Sequence, residues 1–385
     1  MPGAVLLTGS TGFVGMELLA RYLERTDLPI YALVRARDEP AADERLRGVL
    51  SLLYETGEAF ADRVTAVPAD LESPGLGLSA RYRRELPEQV GQIVHAAASV
   101  SFELPLEPSR RINVEGTRRM LDFAERCPVE SFAYISTAYV AGTHTGEFRE
   151  DQLAAGQGFR NPYEHSKFEA ERLVRERAGA LPVQIFRPSV IVGESSTGWT
   201  DSFNVLYAPL QAYANGHLPV VPARPQAPVD VVPVDYVADA VFELARPPVE
   251  RPDTYHLVAG RESTTVAELI SLAADHLGRR RSLMIPPALY RRLLHPLLVW
   301  RSEGRRERAL RRMEAFFPYF ASSVRYRNER ARRRLEPRGI RVAPIRSYFG
   351  RLVDFAMRAR WGRRKLGRAE ALERGRASPA GYLSG

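Results

Sequence analysis

Cysteine, lysine and long apolar runs are what this 385-residue sequence has least of. Its single cysteine, Cys127, excludes an internal disulfide and a cysteine-ligated structural zinc, and it suits a reducing compartment. No uninterrupted apolar run is long enough to span a membrane. A strand-like segment begins within a few residues of Met1, so no signal peptide is expected there and the expected location is cytoplasmic. Of the 55 basic residues only Lys167 and Lys365 are lysines. In a chain that writes arginine almost wherever a cation serves, Lys167 marks a position where arginine would not do.

The charge is unevenly spread. From Arg279 onward lie 29 of the basic residues and 8 of the 46 acidic ones, which leaves an acidic front and a strongly basic rear. Such a field suits anionic surfaces: a phosphorylated substrate, an acidic carrier protein, lipid headgroups or nucleic acid. A solvated arginine-rich helical surface explains the charge equally well. No DNA- or RNA-binding motif accompanies it, which argues against nucleic acid.

What is present starts with Val5–Gly15, V-L-L-T-G-S-T-G-F-V-G. An apolar strand breaks into a turn carrying Gly9, Thr11, Gly12, Phe13, Val14 and Gly15, and helical spacing follows through Leu18, Leu19 and Leu23. Glycines there let backbone N–H groups approach a pyrophosphate at a helix N-terminus and let helix and strand pack closely. A dinucleotide site is the direct reading. The next strand, Ile30 to Val34, ends in Arg35-Ala36-Arg37 with no acid before Asp38. An acid there would accept a free ribose 2′-OH, whereas Arg35 and Arg37 suit a 2′-phosphate, so NADPH is favoured over NADH.

Further along, a helix over residues 40–62 and a strand from Val64 to Ala69 lead to Asp70-Leu71, suited to the adenine edge. A strand from Gln92 to His95 runs into Ala96-Ala97-Ala98, small residues against which a flat cofactor can lie. His95 reads as packed rather than catalytic. Asn113 opens a helix and is either a cap or a polar link to the site. A fifth strand, Ser131 to Ser136, ends in Ser136-Thr137, where an open α/β sheet places its chemistry. Asn161-Pro162-Tyr163-Glu164-His165-Ser166-Lys167 then opens a helix with Tyr163 and Lys167 on one face. An ammonium beside a phenol favours the phenolate, so Lys167 is expected to lower the Tyr163 pKa and to reach the nicotinamide ribose, while Thr137 orients a substrate carbonyl. A sixth strand from Val183 to Arg187 leads into Pro188-Ser189-Val190, expected beside the nicotinamide. No metal site is read.

These residues in this order resemble the extended short-chain dehydrogenase/reductase superfamily over roughly residues 3–260. H-A-A-A-S-V-S-F-E-L-P-L with I-N-V-E-G-T, I-S-T-A-Y-V-A-G, and F-R-P-S-V-I-V-G-E-S are most similar to fatty acyl-CoA reductases and thioester reductase domains. The resemblance implies NADPH-dependent hydride transfer to an acyl thioester carried by coenzyme A or an acyl-carrier protein, with Ser136, Thr137, Tyr163, Lys167 and Asn113 as the catalytic set. The product is then an aldehyde, with a second reduction to alcohol open. A dehydrogenase or epimerase of an alcohol, sterol-like molecule or nucleotide sugar uses the same Tyr-Lys pair and stays open, as does a homodimer. Thr137 is followed by Ala138-Tyr139 rather than the Asp-Glu pair of sugar-nucleotide dehydratases.

The expected architecture is α/β: a doubly wound parallel sheet of Rossmann type over 1–190, a smaller substrate-binding lobe over 191–278 with some return to the sheet, a basic and mainly helical region over 279–361, and a disordered tail over 362–385. In the lobe, Phe203, Leu206, Tyr207, Leu210 and Tyr213 have a helical spacing that suits either an acyl tunnel or core packing. Pro286 to Trp300, apolar and interrupted by arginines, suits either a membrane interface or a cover on the lobe.

Overall fold

A computed structural model describes residues 3–58, 60–203, 205–290, 292, 319 and 323–376. Seven parallel strands form the central sheet: β1 (Ala4–Thr8), β2 (Ile30–Val34), β3 (Val64–Pro68), β4 (Val90–His95), β5 (Ser131–Ile135), β6 (Val183–Pro188) and β7 (Asp253–Leu257). Their order across the sheet is β3-β2-β1-β4-β5-β6-β7. The chain winds one way from β1 and then the other, so the order reverses between β1 and β4. A crevice opens there at the carboxyl ends of the strands, where open α/β sheets bind ligands.

Each strand reads as a short apolar run because both faces are covered. On β5, Ala133 and Ile135 enter the core on one side with β1 and β2 residues, while Phe132 and Tyr134 enter the core on the other. The first side is closed by α1 (Phe13–Arg25), α2 (Glu39–Leu53) and, beyond the lobe's first half, Val234–Leu244. The other is closed by α3 (Ala80–Gln89), α4 (Gly116–Ala124) and α5 (Pro162–Glu176). The helix expected over 40–62 stops at Leu53. Ahead of α4 a helical run, Leu106–Arg110, passes through a π-helical turn, Arg111–Glu115, that carries Asn113.

The lobe is interleaved with the sheet. Val190–Val192 pairs with Val231–Pro233, the helix Val234–Leu244 then lies on α1 with Phe242 edge-on to Tyr22, and β7 joins the sheet beside β6. The basic region returns to both. Val324–Tyr326 pairs with Gly146–Phe148, and the helix Phe349–Arg358 buries Phe349, Leu352, Val353 and Ala356 with Tyr207 and Leu210. Pro286–Trp300 lies largely outside the described residues, as do the aromatic residues around Tyr319.

The tail expected to be disordered over 362–385 needs correction as far as Arg376, and residues 377–385 lie outside the described residues. Arg368–Arg376 is a helix, and the Arg368 side chain is only 10% exposed, paired with Glu24 at 3.0 Å, Glu17 at 3.4 Å and Glu194 at 3.5 Å. Three carboxylates around one guanidinium hold a segment whose composition alone reads as unstructured. Among the described residues no helix is long and apolar enough to cross a membrane, and no three His, Cys, Asp or Glu side chains cluster as metal ligands.

Candidate active site

At the switch point the β1–α1 turn is shaped by contacts that only glycine permits. Gly9 has φ +79°, and a Cβ there would lie 2.7 Å from the Ala97 nitrogen. A Cβ on Gly15 would lie 1.9 Å from the Gly9 carbonyl oxygen, so the helix could not seat on the turn. Helix α1 starts at N-cap Gly12 with no side-chain cap and no acid in its first turn. Its first N–H groups therefore lack intrahelical partners and carry the positive end of the helix dipole.

A cavity of about 540 Å³ sits against this turn. Gly9, Gly12, Phe13, Val14 and Gly15 form one side. Thr137, Tyr163 and Lys167 form another, with Ala96 and Pro188-Ser189-Val190 between them. Ser136 lines it as well; the remaining expected residues stand outside its lining. Arg35 and Arg37 are exposed at the carboxyl end of β2, Arg37 beside Asp38 at 3.1 Å. At the end of β3, Asp70 accepts from the Glu72 N–H and the Ser73 hydroxyl, and Leu71 packs beneath Gly116. Thr11 is half-buried in the glycine turn. The Ala97 N–H donates to Thr8 Oγ1.

Two of the expected catalytic residues have buried partners of their own. Ser136 turns its hydroxyl to Glu171, donating at 2.7 Å into a buried cluster in which Glu171 also holds Arg187 and Arg175. Burial would raise the Glu171 carboxyl, but Arg187 overcomes it and brings the pKa down to about 2. Ser136 therefore serves this ion cluster. Asn113 is a link rather than a cap: it accepts from the Ser99 N–H at 2.7 Å and donates to the Ser99 carbonyl and the Ser166 hydroxyl, each at 3.0 Å. It pins the loop after β4 to α5.

The electrostatics of the pair also differ from the sequence expectation. Burial pushes the Tyr163 phenol up to about 12, tempered by its hydrogen bond with Thr137, so it stays protonated at neutral pH. Burial pushes the Lys167 amine down to about 7, with Glu171 pulling the other way. Its Nζ donates to the Tyr134 hydroxyl and the Ile135 carbonyl, both at 2.8 Å. His95 is buried, as expected, and its pKa is pushed down to about 3 by burial and by Lys167, so it is neutral.

Sequence reasoning gave no role to Tyr134, Phe102, Tyr139 or Glu164, and it read Tyr319 only within the aromatic cluster Phe316-Phe317-Pro318-Tyr319-Phe320, as core rather than ligand site. The Tyr163 ring lies 5.7 Å from Phe102, which stacks at 5.7 Å on Tyr319. Tyr319 in turn meets Tyr139 edge-on at 5.0 Å. The Tyr319 hydroxyl donates to Glu164 at 2.6 Å and accepts from Asn161 at 2.7 Å. Asn161 caps α5 by accepting from the Glu164 N–H, so Tyr319 closes on the start of the catalytic helix. The N-P-Y-E string signalled the cap; nothing local signalled a partner 155 residues away.

Behind Tyr139 and Tyr319 lies a second chamber of about 140 Å³, lined mainly by apolar side chains that include Leu206, Leu210, Tyr213, Leu218, Val221 and Val229. Of the lobe residues with helical spacing, Leu206, Leu210 and Tyr213 face this chamber. Tyr207 is core: its hydroxyl accepts from the Gly193 N–H and its ring meets Phe203 edge-on. Val190, Val205 and Tyr139 line both spaces.

A glycine-built helix N-terminus at the switch point, with a Thr, Tyr and Lys facing it across one cavity, defines an NAD(P)-binding oxidoreductase of the extended short-chain dehydrogenase/reductase type. Residues 7–241 match the male sterility protein family, and the chain belongs to it, a family that includes thioester reductases. An isonitrile lipopeptide synthase of Streptomyces coeruleorubidus is 36% identical over 254 residues, 64% of this chain and 17% of that protein. Fatty acyl-CoA reductase wat of Drosophila melanogaster is 29% identical over 301 residues, 67% of this chain and 58% of that protein. The chain thus spans less than two thirds of these relatives, 17% of one and 58% of the other. Among solved structures, the terminal R domain of the myxalamid PKS-NRPS pathway superposes with a TM-score of 0.82 at 29% identity, covering 93% of this chain and 91% of that one.

Proposed function

We propose that the protein is an NADPH-dependent reductase of acyl thioesters, with the acyl group carried on coenzyme A or a carrier protein. The observation that carries this reading is the placement of Thr137, Tyr163 and Lys167 on a cavity that shares Tyr139, Val190 and Val205 with a mainly apolar chamber. A carbonyl held at the first space can leave its acyl chain in the second.

The residues present fit the dinucleotide. The uncapped α1 N-terminus and the space kept free at Gly12 would hold the pyrophosphate, and Arg35 and Arg37 would take the 2′-phosphate. Asp70 and Leu71 would flank the adenine, and Pro188, Ser189 and Val190 the nicotinamide. NADPH supplies the hydride when bound. The hydroxyls of Thr137 and Tyr163 would bind the thioester oxygen and strengthen their hold as negative charge develops there. Tyr163, protonated at neutral pH, can give its proton to that oxygen. The resulting hemithioacetal releases the thiol and leaves an aldehyde. The charged form of Lys167 would stabilise the tyrosinate left behind.

The basic rear of the chain favours a substrate presented on a phosphopantetheine arm. One relative of known structure is a thiolation-reductase di-domain of an archaeal non-ribosomal peptide synthetase, a likeness of fold at 22% identity. The test is the ratio of kcat/KM for NADPH and NADH with acyl-CoA substrates of graded chain length and with the same acyl groups on a carrier protein. NADPH preference with thioester turnover supports the reading; turnover of free aldehydes or alcohols alone overturns the thioester assignment.

A further inference from the structure

Lys167 can serve its cavity only if its long stem is held, because a lysine amine on four methylenes is otherwise a mobile point charge. Two of its three N–H donors are fixed at 2.8 Å, one by the Ile135 carbonyl and one by the Tyr134 hydroxyl, which leaves the third for the cavity. The same amine lies 4.3 Å from the centre of the Tyr134 ring. We propose that Tyr134, tied through Thr117 to His95, is the positioning residue that aims the Lys167 ammonium at the catalytic cavity. The proposal rests on the oxidoreductase reading only for the use made of that ammonium.

The hydrogen-bond directions support a fixed rather than a mobile Tyr134. The Thr117 hydroxyl donates to the Asn113 carbonyl at 2.6 Å, so its oxygen is left to accept. Neutral His95 donates to it from Nε2 at 3.1 Å and accepts at Nδ1 from the Thr8 hydroxyl at 2.8 Å. Thr8 in turn accepts from the Ala97 N–H at 3.1 Å. The Tyr134 hydroxyl is hydrogen-bonded to the Thr117 side chain, and its oxygen accepts from Lys167. The network runs from Thr8, the residue before Gly9, to Lys167. His95 is thereby a buried strut on β4, its ring tilted 33° to the Tyr134 ring at 5.8 Å.

Burial sets the Lys167 charge first and Glu171, one turn away on α5, pulls the other way; the other titratable groups facing it are Tyr163 on α5, His95 on β4 and Tyr134 on β5, whose hydroxyl accepts from it. Removing only the Tyr134 hydroxyl takes away an acceptor that favours the charged amine. The chain's two lysines make this directly readable: lysine labelled with 13C at Cε gives two signals, and Lys365→Arg assigns the one that remains. In Tyr134→Phe the Lys167 titration midpoint should fall by about one pH unit, without any substrate present. The alkaline limb of the kcat/KM profile should move down with it, and kcat should drop about tenfold while KM changes little. A midpoint and an alkaline limb that stay at the parent values overturn the proposal, whatever the substrate proves to be. Should Tyr134→Phe not fold, Thr117→Val frees the Tyr134 hydroxyl and should move both in the same direction by a smaller amount; no movement there is equally decisive against it.

Discussion

Replacing Lys167 with methionine should abolish turnover and yet make the protein less dependent on pH. The folded protein releases the Lys167 proton near 7, whereas the unfolded chain keeps it to the ordinary 10.5. Between these values the unfolded state binds more protons, so stability rises with pH through this window. Holding the amine charged in the fold costs about 5 kcal/mol at low pH, and the cost falls to about 2 kcal/mol by about pH 9. Methionine removes that pH-dependent term. It also leaves the Tyr134 hydroxyl and the Ile135 carbonyl without the amine, a loss of about 1–3 kcal/mol each that does not vary with pH. Urea denaturation of both proteins at about pH 6 and about pH 9 isolates the first term, because every other titrating group is shared. The stability of the variant relative to the parent should fall by about 3 kcal/mol between the two conditions. Curves that stay parallel to within about 1 kcal/mol would refute a buried, reluctantly charged lysine.

Exchanging Arg35 and Arg37 for serine should raise the KM for NADPH at least tenfold and leave that for NADH nearly unchanged, as read from initial rates with both cofactors. Glu171→Gln should destabilise the fold by about 3–5 kcal/mol in urea, because it leaves Arg187 buried without its carboxylate. The Glu171 contribution is present above the ordinary 4.5 and is lost as pH falls toward about 2, so the parent should lose stability in that range and the variant should not. Gly15→Ala places a Cβ 1.9 Å from the Gly9 oxygen and should abolish dinucleotide binding in a fluorescence titration, with a lowered Tm.

The sheet was legible because parallel strands buried on both faces must be short apolar runs, and the six expected strands lie within a residue or two of the observed ones. The glycine turn and the Tyr163–Lys167 pair were legible because their chemistry demands fixed local spacing. What escaped depends on distance in sequence. Ser136 and Thr137 are neighbours with the same functional group and both line the cavity, and only the position of Glu171 decides that the Ser136 hydroxyl bonds the ion cluster while that of Thr137 bonds Tyr163. Burial is likewise not local: the Tyr-Lys spacing suggests a phenol lowered by its lysine, while the enclosed site raises the phenol and lowers the amine. Tyr134 reads as a core residue on an apolar strand, and its hydroxyl acquires a role only when α5 lays Lys167 across it. Helix Arg368–Arg376 depends on carboxylates at Glu17, Glu24 and Glu194, which no window around residue 368 contains.

The most direct test of thioester reduction by this site is the transfer of deuterium from NADPH labelled at C4 of the nicotinamide to an acyl-CoA, with the product identified by mass spectrometry. The account predicts an aldehyde carrying one deuterium at its carbonyl carbon, released with an equivalent of free thiol and absent with Tyr163→Phe. Bound NADPH with no labelled aldehyde from any acyl thioester, on coenzyme A or on a carrier protein, would contradict it.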